Sequence, residues 1–417
     1  MMDSNSWFHR GGAGGNIGYM CGYAARERPF RKAPWFSPTT RGSTGPSRLA
    51  STFGSIGIGQ VVADNIAAHK VGSAELSLLA KKDYRGCTDD DLLANGRQLR
   101  SFVDACPGTF SCLTRLKLES LVLFPSVFTK ICTICKRLDF LHLFNIEMGV
   151  PSLLEVQHPQ LRELEIAKCS FERVDLNWLP KLTTLTFSYW ESTHDPLSVG
   201  YAPLLQTVTM SNTALSWHKM LTLSEVLGKA TVSDLHLNFE SEKIWVKPEG
   251  PRELWPVFHK LRFVNLADIS EECDLAWTLF ILEGAPSLKE LCLKIWNRCT
   301  MRRDEEERKE YAFSEEKKDT GVEWEGSASK HHNLAVLRIF GFQLEEKFVN
   351  YVSGVMESTL NLQDIYLHGR PICETHKCKK RKDRYPWTKK QRISLINCFN
   401  MDLHPLLRIH FPSVRRA

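Results

Sequence analysis

The chain has 417 residues, 43% of them hydrophobic, which suits two or three domains or one long repeat array and is too many for a disordered protein. Its formal charge of +6 is uneven: residues 1–60 carry seven basic and two acidic residues, residues 370–417 carry thirteen and three, and the residues between are therefore net acidic. An acidic body with basic ends is poorly suited to binding nucleic acid along its length.

The sequence carries no sign of a membrane segment or a secretory signal. No uncharged apolar run approaches the roughly 18 residues that span a bilayer, and the most apolar stretch, residues 121–135, is interrupted by Pro125 and Lys130. Arg10 is followed by glycines rather than by the apolar segment of a signal peptide. We therefore expect a protein of a reducing compartment, cytoplasmic and/or nuclear.

The thirteen cysteines are odd in number and irregularly spaced, which argues against a disulfide framework. Cys132 and Cys135 form one C-x-x-C, and Cys373 and Cys378 bracket His376. A structural zinc site needs four ligands, usually two matched pairs, and neither group has a matching second pair. The sequence favours buried free thiols over a metal site, and we expect no cofactor.

Residues 1–74 are rich in Gly, Ser and Arg and lack apolar periodicity, so we predict a disordered segment. The glycines at 11–15 and 54–59 resemble phosphate-binding loops, but no predicted strand and helix flank them. The Arg-rich, acid-poor composition would also suit an organelle transit peptide, which remains the alternative interpretation.

From about residue 75 a period emerges. The pattern Leu-x-x-Leu-x-Leu, with apolar substitutes, occurs ten times, and most successive starts lie 21–29 residues apart, a spacing typical of leucine-rich repeats. The matches are Leu113/Leu116/Leu118, Leu138/Leu141/Leu143, Leu161/Leu164/Ile166, Leu182/Leu185/Phe187, Leu205/Val208/Met210, Val232/Leu235/Leu237, Leu261/Val264/Leu266, Leu288/Leu291/Leu293, Leu334/Leu337/Ile339 and Leu362/Ile365/Leu367.

This period predicts an α/β fold, an irregular leucine-rich repeat solenoid shaped like a horseshoe with parallel strands on its concave face. Each Leu-x-Leu forms a short strand whose leucines point inward, and stacked neighbours bury them together. We assign residues 75–300 to the repeats and residues 331–417 to a C-terminal region that continues them. Between the two, residues 301–330 are dense in both charges and read as a solvated loop or frayed helix.

The same alternation predicts a binding surface, because the residues between the repeat leucines must line the concave face. We expect these side chains to contact a partner protein, with Arg338 and Tyr366 as anchors since interface energy concentrates in such residues. The predicted row is Lys117, His142, Glu165, Thr186, Thr209, His236, Asn265, Cys292, Arg338 and Tyr366.

A basic cluster near the C-terminus has three interpretations. The cluster spans residues 377–392, and Lys379, Lys380, Arg381 and Lys382 within it have the composition of a nuclear localisation signal. The second interpretation is a solvated loop. The third is a nucleic-acid contact in which Tyr385 and Trp387 stack on bases.

The C-terminal stretches 332–342, 348–352, 361–367, 384–392 and 408–413 resemble the FBD domain that closes many plant F-box/leucine-rich repeat proteins. Earlier, Cys87–Leu93, Asp104–Pro107 and Cys112–Leu116 look like the first repeats of grass members of that family. The resemblance covers roughly residues 75–415, and its specificity lies in the order and spacing of these stretches.

The resemblance implies an FBD-like cap and a substrate receptor of an SCF-type E3 ubiquitin ligase, in which the repeats hold a target protein and an F-box docks on a Skp-type adaptor of a cullin complex. Residues 1–75 contain no Leu-Pro and acidic stretch leading into amphipathic helices, as an F-box would. The alternatives are an interaction scaffold without ligase coupling and a nuclear protein that uses its basic loop on nucleic acid. Neither G-x-S-x-G nor H-E-x-x-H is present, and we expect no enzyme.

Overall fold

The computed structural model describes residues 47–52, 74–80, 82–149, 152–213, 219–240, 244–271, 273–296, 330–369, 384–399, 401 and 404–412. Several sequence predictions lie outside these ranges: most of the 1–74 segment, the charged insertion up to residue 329, the Lys379–Lys382 run, and the Cys373/His376/Cys378 group.

One sheet of thirteen strands organises the described residues, and each of its strands pairs in parallel with the next. This arrangement confirms the predicted α/β repeat fold. In spatial order the strands are β1 (Ser47–Thr52), β2 (Ala74–Leu79), β3 (Leu113–Val122), β4 (Phe140–Glu147), β6 (Glu163–Ala167), β8 (Thr184–Ser188), β10 (Thr207–Ser211), β11 (Asp234–Asn238), β12 (Phe263–Ser270), β13 (Glu290–Trp296), β14 (Val336–Phe340), β15 (Asp364–His368) and β16 (Arg408–His410).

All ten predicted repeats supply a strand of this sheet, from β3 to β15. Burial alternates as the leucine pattern requires: in β6, Leu164 and Ile166 are buried while Glu163, Glu165 and Ala167 are partly exposed. Burying a leucine side chain stabilises a fold by about 1.5–3 kcal/mol. Stacking repeats that share one apolar core therefore supplies the stability that a single repeat lacks.

Three strands of this sheet were not predicted. β1 lies inside the segment that we predicted to be disordered, and it pairs in parallel with β2. The physical reason is that β2 presents an unpaired backbone edge that a further strand can complete. The β2 strand was not predicted because Ser73 occupies the position at which the repeat pattern begins with leucine. The β16 strand was not predicted because its match to the pattern, Leu406/Ile409/Phe411, starts 44 residues after the start of the preceding match, Leu362, which is longer than the usual spacing.

The other side of the core is built differently along the chain. Helices cover the first and the last repeats, and a second parallel sheet covers the repeats between them. The helices are α1 (Asp89–Ala105), α2 (Pro107–Ser111), α3 (Pro125–Ile134), α4 (Leu223–Leu227), α5 (Pro251–Phe258), α6 (Leu279–Gly284), α7 (Glu346–Ser358) and α8 (Lys389–Asn397), and the second sheet is β5 (Leu153–Gln157), β7 (Arg173–Trp178) and β9 (Leu197–Tyr201). None of the helices in the described ranges is long and apolar enough to cross a bilayer.

Two buried histidines join neighbouring repeats. The Nε2 atom of His158 lies 2.9 Å from the carbonyl oxygen of Cys135, just after α3, and that of His331 lies 3.0 Å from the carbonyl oxygen of Ala285, just after α6. In each case Nδ1 accepts backbone N–H groups, so Nε2 carries the donating proton. Burial lowers the pKa of both imidazoles, and the neutral ring serves as a structural bridge.

Candidate interaction surface

The ten side chains predicted between the repeat leucines form one unbroken row across the sheet. Strand register places each directly opposite the next, from Lys117 beside His142 to Arg338 beside Tyr366. The row continues to Ser77 on β2 and to His410 on β16. All the predicted residues are partly exposed except Cys292, which is buried. We call the sheet surface on which this row lies the open face.

At the β3–β6 end of the open face, His142 is the centre of a charged and aromatic cluster. Its Nδ1 donates to Glu165 Oε2 at 2.8 Å, and its Nε2 lies 3.9 Å from Glu119 Oε1. The ring stacks between Phe140 and Phe144 of the same strand. The hydrogen bond from His142 lowers the pKa of Glu165, whereas burial raises the pKa of Glu119. The hydrogen bond therefore stabilises the ionised form of Glu165, whereas burial disfavours the ionised form of Glu119.

The β13–β16 end of the open face carries a second cluster, built around Arg338. Its Nε donates to Glu290 Oε1 at 2.6 Å, and its guanidinium lies 4.2 Å from the ring centre of Tyr366. Tyr366 in turn stacks on His410 at 4.4 Å. The two predicted anchors are therefore in direct contact, and Asp364 fixes His410 through a 2.7 Å bond to Nε2.

Between the two clusters, β8 and β10 present only threonine and serine to the open face. Thr186 and Thr209 belong to the predicted row, and Thr184, Ser188, Thr207 and Ser211 flank them on the same two strands. The open face thus changes from charged to neutral and back to charged along the array.

A family comparison bears on this geometry. The family model described as "At1g61320/AtMIF1, LRR domain", from a plant protein family, matches residues 99–398, well over half of the chain. The chain belongs to this family. The match starts within α1 and ends just after α8, so it includes all ten predicted repeats. A comparison with curated proteins found no match.

LRR domains are typically interaction modules without catalytic activity. Among the residues that the structure describes, no group of three or more His, Cys, Asp or Glu side chains could hold a metal ion. Burial raises the pKa of both Cys132 and Cys135 to about 12, so these thiols are protonated at neutral pH.

Reasoning from the sequence found the central row of this LRR domain but missed its flanks. Aromatic rings two positions away on the same strands, such as Phe140 and Phe263, lie on the same side of the sheet as the row and pack against His142 and His236, and Phe140 is buried there. At the other end, Phe340 stacks on His368 at 4.2 Å. The signal was available, because residues at alternate positions of a strand share a face.

A rim of aromatic and charged residues lies where the strands of the LRR domain end. Lys168 Nζ sits 4.8 Å from the ring centre of Tyr84 and 4.6 Å from that of Tyr189. Tyr189 donates its hydroxyl to Glu240 at 3.1 Å, and Tyr84 packs edge-on against Phe144 at 5.3 Å. Through Tyr84, the turn before α1 therefore contacts Lys168, which directly follows β6, and Phe144 of β4.

Proposed function

We propose that this LRR domain binds a target protein across the open face. The observation that carries the proposal is the unbroken row of side chains from Lys117 to Tyr366, which is held in fixed register by parallel strands and left partly exposed at every position except Cys292. A rigid sheet supports such a surface because its groups are ordered before binding, which reduces the entropic cost of association. Arg338 and Tyr366 supply the kind of anchor at which interface energy concentrates.

We further propose that the bound protein is a substrate and that the chain is the recognition part of an SCF-type E3 ubiquitin ligase receptor. The support is the FBD-like resemblance of residues 332–367, 384–392 and 408–413. The partners of this proposal are the target and a Skp-type adaptor of a cullin complex, in the cytoplasm and/or the nucleus. An interaction scaffold that binds the target without ligase coupling is the competing function.

The test is a charge-reversed variant of the open face that combines Lys117→Glu, Glu165→Lys and Arg338→Glu. Interfacial charge pairs that lose a partner cost about 2–5 kcal/mol, so we expect target affinity to fall by about 30-fold or more. The measurement is recovery of co-purified proteins by mass spectrometry, followed by titration of the recovered target.

The control is a matched triple variant in and beside β7 of the second sheet: Arg173→Glu, Asp175→Lys and Lys181→Glu. This variant should keep wild-type recovery, and both variants should keep the wild-type melting temperature within a few degrees. Unchanged recovery by the open-face variant contradicts the binding proposal. Targets recovered without any Skp-type adaptor support the scaffold and contradict ligase coupling.

A further inference from the structure

The last strand of the main sheet leaves one of its edges unpaired. β16 pairs with β15 on one side, and no strand in the described part of the chain pairs with its other side. The Arg408 N–H donates to the carbonyl oxygen of Gln363 at 2.8 Å, so Arg408 and His410 direct their backbone groups toward β15. Successive residues of a strand alternate in this direction, and the N–H and C=O groups of Ile409 therefore point to the free side. Such an edge can pair with a further strand.

Leu406, two residues before β16, is the most exposed large hydrophobic residue that the structure describes. It is 84% exposed, whereas its neighbour Leu407 is buried. Leu407 takes the position that a repeat leucine occupies elsewhere, because its N–H donates to the carbonyl oxygen three residues earlier, as that of Leu288 does. Leu406 therefore has no place in the shared core and projects into solvent beside β16.

Helix α8 turns a partly apolar side toward the same end of the array. A cavity lies between α8 and α7 of the preceding repeat, and on the α8 side it is lined by Gln391, Ser394, Leu395 and Cys398. Because a helix turns about 100° per residue, Lys389, Ile393 and Ile396 lie on the opposite side of α8, away from α7. Ile393 is 48% exposed and Ile396 is partly exposed. The last repeat thus leaves apolar groups in solvent where an earlier repeat meets the next one.

The end of the array is also basic. The described residues from 384 to 412 include no Asp or Glu, and their Lys and Arg residues are Arg384, Lys389, Lys390, Arg392 and Arg408. Arg384 and Arg408 each pair with a carboxylate of an earlier element, whereas Lys389 and Lys390 form no ion pair within the described part of the chain. The unpaired charges of these described residues are therefore positive, so two copies of the chain would repel each other if they met end to end here.

We infer that this end of the array binds an extended, acidic segment of a partner protein, which pairs with the free edge of β16. Apolar side chains of the segment would cover Leu406 and Ile393, and its Asp and Glu side chains would face Lys389. A protein segment is favoured over a nucleic acid because a polypeptide backbone supplies both the donor and the acceptor that match the outward groups of Ile409. The inference goes beyond the proposed function, since it concerns a second surface and does not depend on the open face.

The experiment selects binders of the full chain from a displayed library of random twelve-residue peptides and compares two variants. Leu406→Glu replaces the exposed leucine by a negative charge, and we expect peptides bound at this end to bind the variant about tenfold more weakly or worse. These peptides should be enriched in Asp and Glu by about twofold or more, the scale of exposed ion pairs.

The control is Leu204→Glu, the same change at a leucine that is 51% exposed on the turn after β9. This variant should bind the peptides as the wild type does. Both substitutions replace exposed side chains, so both variants should keep the wild-type melting temperature.

The backbone contact is tested by methylating single backbone nitrogens of a selected peptide. Because alternate N–H groups of a strand point to one side, we expect about tenfold weaker binding from methylation at one position, or at positions two residues apart.

The inference is overturned if no selected peptide loses affinity with Leu406→Glu, if the peptides that do are basic or uncharged, or if methylation has no effect at any position. Mixed-sequence single-stranded DNA that binds the wild type and is lost in Leu406→Glu would assign this end to nucleic acid instead. A wild-type dimer that becomes monomeric in Leu406→Glu, measured by analytical ultracentrifugation, would assign it to a second copy of the chain. Either result also contradicts the inference.

Discussion

Replacing Trp245 by alanine will lower the free energy of unfolding by about 3–5 kcal/mol, the range for removing a large buried aromatic side chain. Trp245 is 2% exposed and lies at the centre of an aromatic chain inside the array. Its ring meets Trp190 edge-on at 5.0 Å and Phe239 at 5.2 Å, and Phe239 continues to Trp277 at 5.5 Å. The cavity would therefore open where several repeats share one packing unit.

Chemical denaturation followed by circular dichroism measures this effect, and Trp255 provides the control. Trp255 is 57% exposed on α5 and stacks on His259. Its replacement by alanine should change the free energy of unfolding by no more than about 0.5 kcal/mol. Equal losses for the two variants would show that the aromatic chain does not hold these repeats together.

Replacing Gly341 by alanine will destabilise the array by about 2–4 kcal/mol, since a left-handed residue costs about 1–2 kcal/mol and a backbone overlap is added to it. Gly341 directly follows β14 and has a φ of +85°, and a Cβ atom there would lie 2.3 Å from the carbonyl oxygen of Ile295. The positive φ alone is tolerated elsewhere, because Asn145 and Lys168 adopt it at the equivalent strand ends. The close approach of the neighbouring strand makes glycine necessary at this repeat.

The matched substitution Gly354→Ala should have the opposite sign. Gly354 lies inside α7, and a Cβ atom there would meet nothing within 4 Å. Alanine favours a helix interior over glycine by about 0.5–1 kcal/mol, so this variant should raise the denaturation midpoint. If both variants shifted the midpoint equally and in one direction, the steric account of Gly341 would be wrong.

The repeat strands could be predicted from the sequence because each one is fixed by its own buried residues. Leu164 and Ile166 must face the core whatever the rest of the repeat does, and a strand places Glu165 on the other side. The opposite side of the core follows no such rule. A helix such as α3 and a strand such as β7 both bury an apolar stripe there. The repeats with a strand have starts 21–23 residues apart and those with a helix at least 25, a relation that becomes visible only in the folded chain.

The open face could be predicted only in part. Alternation places Arg338 and Tyr366 outward, but their 4.2 Å contact needs the strand register that joins residues 28 positions apart. The His410 contact was missed because β16 follows an irregular interval.

The central claim, that the open face holds the target, is tested most directly by site-specific photocrosslinking. In one variant a photoreactive amino acid replaces Thr209 in the middle of the row. In a second variant of the same protein it replaces Ser198 on β9 of the second sheet. With the purified target present, we expect a covalent adduct from position 209 and none from position 198. An adduct from position 198 with none from position 209 would place the target on the opposite side of the core and contradict the claim.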